Sequence, residues 1–291
     1  MTTQSDGLQD LLRAAKVPTE HEEELLALLA DVAADDALRA RAEELTHGLR
    51  AHLRRFRGSS SVFRHEDAEA GPGRGAVPLL ALLMVLPEVD AYWRERGLPD
   101  DVRAATAGEI RRQVDKTLRV TGRVGFDDYP WVEIVWRGGF AQIGRLQYEL
   151  IRDDAADEWL ANVHIPAEGP LRMEEVRESL GRARGVLDVA FPELGSIRHA
   201  VCDSWLLDPQ LADLLPGSNI PAFGALWQLE SSVPRDGEGL YFAFDLPRGQ
   251  GDRLAEILPT LKPTSRLQAA LIELWSGGGH LYQCLGRLEL P

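Results

Sequence analysis

The chain has 291 residues, of which 44% are hydrophobic and 27% charged, enough to bury one large core or two smaller ones. Its 46 acidic residues outnumber its 32 basic residues, and the formal charge of -14 argues against non-specific nucleic-acid binding. The two cysteines lack metal-ligand spacing, and the N-terminal segment lacks the apolar stretch of a signal peptide. We therefore expect a reduced, cytoplasmic protein without a metal site, a nucleic-acid partner or a membrane partner.

Helical periodicity dominates the first 125 residues. Apolar side chains from Leu8 to Ala15 follow the spacing of an amphipathic helix, and Pro18 interrupts that pattern before a second helix. Asp36 is expected to cap a third helix, whose leucines form one apolar face. The segment thus predicts a helical N-terminal region.

The longest apolar run extends from Ala76 to Leu86 and is too short to span a bilayer, so it predicts a buried helix. Pro87 is expected to end or kink that helix. Pro99 suits the first turn of a further helix that continues to Leu118.

A glycine-rich segment, Gly71-Pro-Gly-Arg-Gly75, precedes the apolar helix. Backbone N–H groups in such a loop can cradle an anion. Pro72 removes one of these donors, and no strand clearly precedes the loop, which favours a plain linker.

The pattern changes at Phe140, where polar and apolar residues begin to alternate. Phe140–Leu150 and Trp159–Ile165 predict two strands of a hairpin whose turn centres on Asp154 and Ala155. Met173–Phe191 follows with helical character.

Further strands and one more helix complete the chain. Arg198–Leu206 is apolar on both faces and predicts a central strand, and Leu240–Leu246 predicts another. Ser265 and Gln268 are expected to cap a helix, and His280–Leu288 closes the chain as a strand. The sequence therefore predicts an α+β protein with a helical N-terminal part and a mixed α/β C-terminal part.

Five short stretches, found in the same order, resemble a bacterial acyltransferase family in which a helical N-terminal domain precedes a GNAT-like C-terminal domain. The matching segments are Phe140–Glu149 (FAQIGRLQYE), His164–Leu171 (HIPAEGPL), Cys202–Pro209 (CDSWLLDP), Ser218–Ile220 (SNI) and Pro263–Gln268 (PTSRLQ). The resemblance covers residues 130 to 285, and the N-terminal helices match more loosely.

The resemblance implies a helical domain over residues 1–138 and a GNAT-like α/β domain over residues 139–291. It also implies transfer of an acyl group from acyl-CoA, with acetyl-CoA the expected donor, to a small amine. In such folds the thioester donor enters a V-shaped gap between two adjacent parallel strands. The chain departs from the family at Asp203, where the family has histidine, and it lacks the usual pyrophosphate loop; the nearest candidate, Arg177–Ala183, has one residue too many.

The hairpin supplies candidate site residues. A turn at Asp154 and Ala155 would place Arg145 opposite His164 and Gln147 opposite Asn162, on the same face as Glu149. Such a polar stripe is either a site or the solvated outer face of an antiparallel hairpin.

Two residues are candidates for proton transfer. Asp203 lies on the strand predicted to be buried, where loss of water would make its carboxylate a stronger base for an ammonium substrate. A strand cap or a partner of an arginine is the alternative role for Asp203. His164 lies at a strand end and has an imidazole that exchanges protons near neutral pH.

The catalytic candidates are Asp203, His164 and Ser204; the cofactor-binding candidates are Arg145, Gln147, Ser218 and Asn219; the substrate-binding candidates are Glu149 and Trp205. The leading hypothesis is a GNAT-like N-acyltransferase. The alternatives are a non-catalytic ligand-binding or interaction module of the same fold, and a structural partner of another enzyme.

Overall fold

The computed structural model describes residues 2–17, 19–56, 60–69 and 71–291, so Pro18 lies outside the described residues. The chain forms two compact units, one of residues 1–142 with 189–191 and one of residues 143–188 with 192–291. Helices occupy the first part and a mixed six-stranded sheet with helices the second. The predicted α+β class is confirmed.

The N-terminal unit is built from seven consecutive helical segments. Their bounds are α1 (Thr2–Ala14), α2 (Thr19–Ala34), α3 (Asp36–His52), α4 (Ala76–Glu95), α5 (Asp100–Ala107), α6 (Glu109–Thr121) and α7 (Tyr129–Trp136). Asp35, not Asp36, caps α3, because its side chain accepts hydrogen bonds from the backbone N–H groups of Ala37 and Leu38. The third helix was predicted correctly, with its cap displaced by one residue.

Helix α4 continues past Pro87, so the proline does not end the helix, which was one of the two predicted outcomes. Val89, Tyr92 and Trp93 are buried beyond the proline, and the packing of these side chains outweighs the missing backbone hydrogen bond. The complete helix is long and apolar enough to cross a membrane by length and composition, but 72% of its most apolar window is buried within the protein. It is the buried helix that the sequence predicted.

The helix predicted from Pro99 to Leu118 is two helices instead of one. Pro99 precedes α5, and Gly108 lies between the end of α5 and the start of α6. Thr106 is fully buried near that break, and its hydroxyl accepts a hydrogen bond from the backbone N–H of Gln142.

The C-terminal part contains the sheet. Its elements are β1 (Phe140–Ile143), β2 (Leu146–Asp153), β3 (Glu158–His164), α8 (Met173–Ala190), β4 (His199–Ser204), α9 (Leu211–Leu214), α10 (Asn219–Gly224), β5 (Gln228–Pro234), α11 (Asp236–Phe244), α12 (Leu254–Ile257), α13 (Arg266–Ser276) and β6 (Tyr282–Glu289). The strand order is β1-β2-β3-β4-β6-β5. Strands β3 and β4 are parallel, whereas β2–β3, β4–β6 and β5–β6 are antiparallel.

The hairpin differs from its prediction in two respects. The single strand predicted over Phe140–Leu150 is divided into β1 and β2 by a turn at Gly144 and Arg145, where Gly144 has a φ of 61°. The β2–β3 register pairs Gln147 with His164, two residues from the prediction, because the turn after Asp153 is longer than expected. An even shift leaves each side chain on its predicted face.

Two elements were wrong or missing in the prediction. Leu240–Leu246 was predicted as a strand, but Leu240 lies inside α11, where Gly239, Leu240 and Tyr241 are buried. A short apolar run does not distinguish a helix from a strand by periodicity. Strand β5 was not predicted because every one of its residues is exposed, so it carries no apolar alternation. The Ser265 cap of α13 is confirmed, since its hydroxyl accepts from the Gln268 N–H.

Helix α8 packs on the sheet through a buried hydroxyl group. Ser179 is fully buried; its Oγ lies 2.9 Å from the Tyr148 hydroxyl and accepts the Leu146 N–H at 3.3 Å. It also donates to the carbonyl oxygen of Ile143. The serine thereby connects α8 to both sides of the β1–β2 turn. Burial raises the pKa of the Tyr148 hydroxyl.

We expect the Ser179→Ala variant to lower the free energy of unfolding by about 1–3 kcal/mol, because buried polar groups lose their partner. Urea unfolding checks this value. Ser196→Ala is the control, since Ser196 is exposed and bonds to the half-buried side chains of Arg184 and Asp188. Its expected change is below about 0.5 kcal/mol. Equal losses in the two variants would contradict the proposed role of Ser179.

Candidate active site

The parallel strands β3 and β4 pair over only part of their length. The pairs are Ala161 with Ala200 and Asn162 with Val201, after which the ladder ends. Both strands nevertheless continue, β3 to His164 and β4 to Ser204. We call this end of the sheet, where the two strands are no longer paired with each other, the β3–β4 divergence. A backbone group that has no partner on a neighbouring strand can bind a ligand.

A carboxylate, an imidazole and an amide meet beside this divergence. Glu149 Oε2 lies 3.0 Å from His164 Nε2 and accepts from the Asn162 side-chain amide at 3.1 Å. The Asn162 nitrogen lies 3.2 Å from the same imidazole nitrogen. Because a carboxylate only accepts, Nε2 is the nitrogen that donates to Glu149, and Asn162 donates to the carboxylate as well.

This arrangement orients the His164 ring. A hydrogen bond from Nε2 to Glu149 selects the tautomer in which Nδ1 carries the lone pair, and it stabilises the ring once it is protonated. The side chains of His164 and Glu149 are 27% and 23% exposed, so a substrate can reach the pair. A carboxylate that orients an imidazole in this way makes the imidazole a suitable general base.

Gln147 belongs to the same face of the sheet. It lies opposite His164 in the β2–β3 ladder and is only 3% exposed. The predicted polar stripe of the hairpin thus keeps four of its five members on one face, with Gln147 buried and Glu149, Asn162 and His164 half-buried.

Asp203 is exposed, so the prediction of a buried carboxylate is wrong. The Asp203 side chain lies on one face of β4 and is exposed, whereas the neighbouring Cys202 and Ser204 lie on the opposite face and are buried. Continuing the β3–β4 pairing by two residues would set Asp203 opposite His164, on the same face and across the divergence. The carboxylate remains suited to attract a cation.

Ser204 and Cys202 have mainly local roles. The Ser204 hydroxyl accepts the Leu206 N–H at 3.2 Å and begins the 3-10 turn Trp205–Leu207. Cys202 is fully buried, and burial raises the pKa of its thiol; burial also raises the pKa of Cys284 to about 11. Both thiols are thus protonated at neutral pH and are poor nucleophiles.

Arg145 lies in the β1–β2 turn and not opposite His164, as had been predicted. Its guanidinium donates to the carbonyl oxygens of Pro166 at 3.1 Å and Pro170 at 3.4 Å. Burial lowers the pKa of the Arg145 side chain, although nearby Glu175 opposes this effect. The side chain therefore holds the loop that directly follows His164.

The other predicted binding residues lie beyond β4. Ser218 precedes α10, and its Oγ is buried without a hydrogen-bond partner among the described residues. Asn219 is exposed, whereas Trp205 is only 6% exposed and belongs to an apolar cluster. Trp205 thus follows directly on the divergent end of β4.

Sequence reasoning did not assign Asn162 a role. The signal was present, because Asn162 precedes His164 by two residues and so shares its face of the strand. The residues that the structure describes contain no cluster of histidine, cysteine and acidic side chains that could hold a metal ion.

Comparisons with known proteins match the chain in two parts. Residues 6–138 match the model of an N-acyltransferase N-terminal domain, and residues 140–288 match that of a GNAT-like C-terminal domain. A comparison with curated proteins gives no match.

Three solved structures are similar over almost the whole chain. An acyltransferase in complex with CoA and 10C-teicoplanin is 31% identical, with a TM-score of 0.85. An acyltransferase in complex with decanoyl-CoA is 32% identical, with a TM-score of 0.84, and a mutant acyltransferase in complex with octanoyl-CoA is 31% identical, with a TM-score of 0.81. In each comparison the match covers 97% of this chain and 87% of the other.

Proposed function

The chain belongs to the N-acyltransferase family that joins an N-acyltransferase N-terminal domain to a GNAT-like C-terminal domain, and we propose that it moves a medium-length acyl group from acyl-CoA to an amine of a small molecule. The acyl-CoA-dependent activity follows from this family and from relatives that bind CoA, decanoyl-CoA and octanoyl-CoA. The relatives' acyl groups favour a medium-length donor over the acetyl-CoA expected from the sequence.

One observation carries the proposal: the Glu149–His164 pair lies where β3 and β4 separate. A thioester that enters this divergence would bring its carbonyl carbon to the end of β3, beside the imidazole. Unpaired backbone N–H groups of the two strand ends would then be available to polarise the thioester carbonyl.

In the proposed reaction, the neutral amine nitrogen attacks the thioester carbonyl carbon. The new N–C bond forms, His164 takes the amine proton, and the C–S bond breaks to release CoA as a thiolate. The thiolate takes a proton from water, and Glu149 stabilises the imidazolium formed at His164 until the imidazolium returns its proton to water.

The acceptor is proposed to be an amine that is cationic in solution and that gives one proton to water before its neutral form attacks. Asp203 is exposed on the same sheet face as His164, and its carboxylate would attract an ammonium group toward the divergence. A relative that binds 10C-teicoplanin supports an acceptor of the small-molecule class. The proposed site of action is the cytoplasm, which two buried, unoxidised cysteines support.

Calorimetry with CoA, acetyl-CoA and decanoyl-CoA tests donor binding. We expect binding of CoA and of decanoyl-CoA, and release of a free CoA thiol when an amine acceptor is added to decanoyl-CoA. Donor binding without any thiol release across a panel of amines would favour the non-catalytic module. No binding of any of the three compounds would overturn the proposal.

A further inference from the structure

A charged network lies on the sheet face that carries Glu149 and His164, at the end of the strands opposite the β3–β4 divergence. Arg287 on β6 donates to Glu158 at 3.0 Å and to Asp153 at 3.1 Å, and its Nε lies 3.2 Å from Glu230. Glu158 begins β3, Asp153 ends β2 and Glu230 lies on β5. We call these four residues the Arg287 network; its single guanidinium joins four strands.

The side chain of Arg287 crosses β4 to reach β3, because the strand order is β3-β4-β6. Arg287 lies opposite Val201 on β4, and Val201 lies opposite Asn162 on β3. Residues that are directly opposite each other on neighbouring strands share one face of the sheet. Asn162 and Val201 are also the last pair of the β3–β4 ladder, so Arg287 stands in the row of the sheet where that ladder ends.

Backbone pairing alone holds β3 and β4 together weakly. Their ladder contains two residue pairs, whereas the β2–β3 register contains seven pairs and the β4–β6 register six. Parallel pairing is also slightly less stable per residue than antiparallel pairing. Contacts between side chains therefore contribute a larger share of the stability at the β3–β4 junction than at its neighbours.

The three carboxylates of the Arg287 network repel one another unless a cation lies between them. Asp153 and Glu158 are opposite each other in the β2–β3 register, where like charges destabilise a sheet. Arg287 binds both with one planar guanidinium, and charge-assisted hydrogen bonds of this kind are the strong ones. The four side chains are 26% to 41% exposed, so water and salt screen their charges only in part. Loss of Arg287 would therefore replace an attraction across β4 by repulsion between carboxylates.

We propose that Arg287 is a positioning residue for donor binding: it keeps β3 against β4 at one end of the sheet, so that the strands separate only beyond Asn162 and Val201. This inference rests on the proposed function, because it takes the β3–β4 divergence as the place where the thioester donor binds. Each guanidinium nitrogen contacts a carboxylate, so Arg287 acts on the donor through the position of the two strands. His199 on β4 also contacts Glu158, but any hydrogen-bond donor at position 199 can make that contact.

Residue-resolved hydrogen exchange of the free protein tests the junction directly. The N–H of Leu290 donates to the carbonyl oxygen of Arg198, and hydrogen-bonded positions alternate along an antiparallel pair, so the N–H of Val201 points toward β3. In Arg287→Met we expect this amide to exchange about threefold to thirtyfold faster, the range of coupling known for residues that act through their neighbours. Unchanged exchange at Val201, or an equal rise throughout the C-terminal unit, would overturn the inference.

Donor affinity tests the consequence for the site. We expect Arg287→Met to raise the dissociation constants of CoA and decanoyl-CoA by about threefold to thirtyfold. The value of kcat at saturating donor should stay within about twofold, because Glu149 and His164 both lie on the β2–β3 hairpin. Arg287→Lys keeps the charge and should restore part of the affinity. A fall in kcat and in the fraction of protein that binds, at unchanged dissociation constants, would show a merely structural role and overturn the inference.

Arg152→Met is the matched control. Arg152 lies on β2 and forms ion pairs with Asp154 and Asp157 in the turn of the same hairpin. We expect this variant to keep the wild-type donor affinity and the wild-type exchange at Val201. Changes equal to those in Arg287→Met would contradict a specific role of Arg287.

A second variant keeps the test decisive if Arg287→Met does not fold. Glu158→Gln weakens the same contact without leaving an excess of carboxylates, and we expect a smaller change in the same direction at Val201. No change at Val201 in this variant would overturn the inference. Failure of the wild-type protein to bind CoA or decanoyl-CoA would instead overturn the proposed function, while the exchange at Val201 would still test the role of Arg287 in the sheet.

Discussion

Replacement of His164 by glutamine is expected to lower kcat/KM for acyl transfer by about 10²- to 10⁴-fold, the usual contribution of a general base. Glutamine keeps a polar group of similar size near Glu149 but cannot take the amine proton. The affinity for decanoyl-CoA should stay within about twofold, because the imidazole is proposed to act on the acceptor and not to hold the donor. Thiol release measures the rate, and calorimetry measures the affinity.

A second histidine provides the matched control for this variant. His199 lies on the same face of the sheet at the start of β4, and its Nδ1 lies 2.9 Å from Glu158 Oε2. It thus repeats the carboxylate–imidazole pair at the opposite end of the strand from the divergence. We expect His199→Gln to retain nearly the wild-type kcat/KM. An equal fall in both variants would show that the loss at His164 is structural.

The Glu149→Gln variant distinguishes a residue that positions the His164 ring from a residue that itself transfers a proton. In Glu149→Gln the amide can still contact the His164 ring, but it no longer stabilises a positive imidazole. We expect a smaller loss than in His164→Gln, confined to kcat, as for a residue that acts through another.

Gly75→Ala is expected to destabilise the N-terminal unit by at least about 3 kcal/mol, more than a left-handed backbone conformation alone would cost. Gly75 directly precedes α4 and has a φ of 69°. A Cβ at this position would lie only 1.7 Å from the carbonyl oxygen of Phe126. Relief of that clash requires movement of the backbone, because the neighbouring atom is not part of a flexible side chain. Urea unfolding measures the loss.

Gly97→Ala serves as the control for that clash. Gly97 follows the other end of α4 with a φ of 74°, and a Cβ there would meet nothing within 4 Å. Its expected cost is about 1–2 kcal/mol, the penalty of the left-handed conformation alone. Equal losses at Gly75 and Gly97 would contradict a steric role for Phe126.

The role of Gly75 explains why the segment from Gly71 to Gly75 is rich in glycine. The sequence had allowed two interpretations of this segment, a linker or an anion-binding loop. Gly71, Gly73 and Gly75 all have positive φ values, and the N–H of Gly75 donates to the carbonyl of Ala68 at 2.7 Å. The N–H of Phe126 donates in turn to the carbonyl of Arg74 at 2.8 Å. These groups bond to backbone within the unit, so the glycines permit close packing of two segments.

Part of the candidate site was predictable because the period of a strand is short. Alternation placed Gln147, Glu149, Asn162 and His164 on one face, and a register error of two residues did not change that face. The pairing itself depended on the length of the turn after Asp153, which the sequence pattern does not specify. The predicted position of Arg145 was wrong for the same reason, because the turn at Gly144 and Arg145 takes this residue out of the strand.

The error at Asp203 has a different origin. The apolar residues around it correctly predicted a central strand, and β4 lies between β3 and β6. The neighbouring side chains point to the opposite face of the strand, so their burial says nothing about the carboxylate itself. Leu240 shows the same limit, because a few apolar residues fit a helix or a strand until their neighbours are known.

The sequence by itself determined the α+β order, most of the long helices and the polar face of the hairpin. The reason is that the spacing of apolar residues within a short segment depends on whether the segment is a helix or a strand. Only the tertiary structure decided that Glu149 orients His164, that the β3–β4 ladder ends two residues before that histidine, and that the apolar cluster containing Trp205 begins at the end of β4. These contacts join residues far apart in the chain, and they depend on turn lengths and on competing packing energies that no local pattern records.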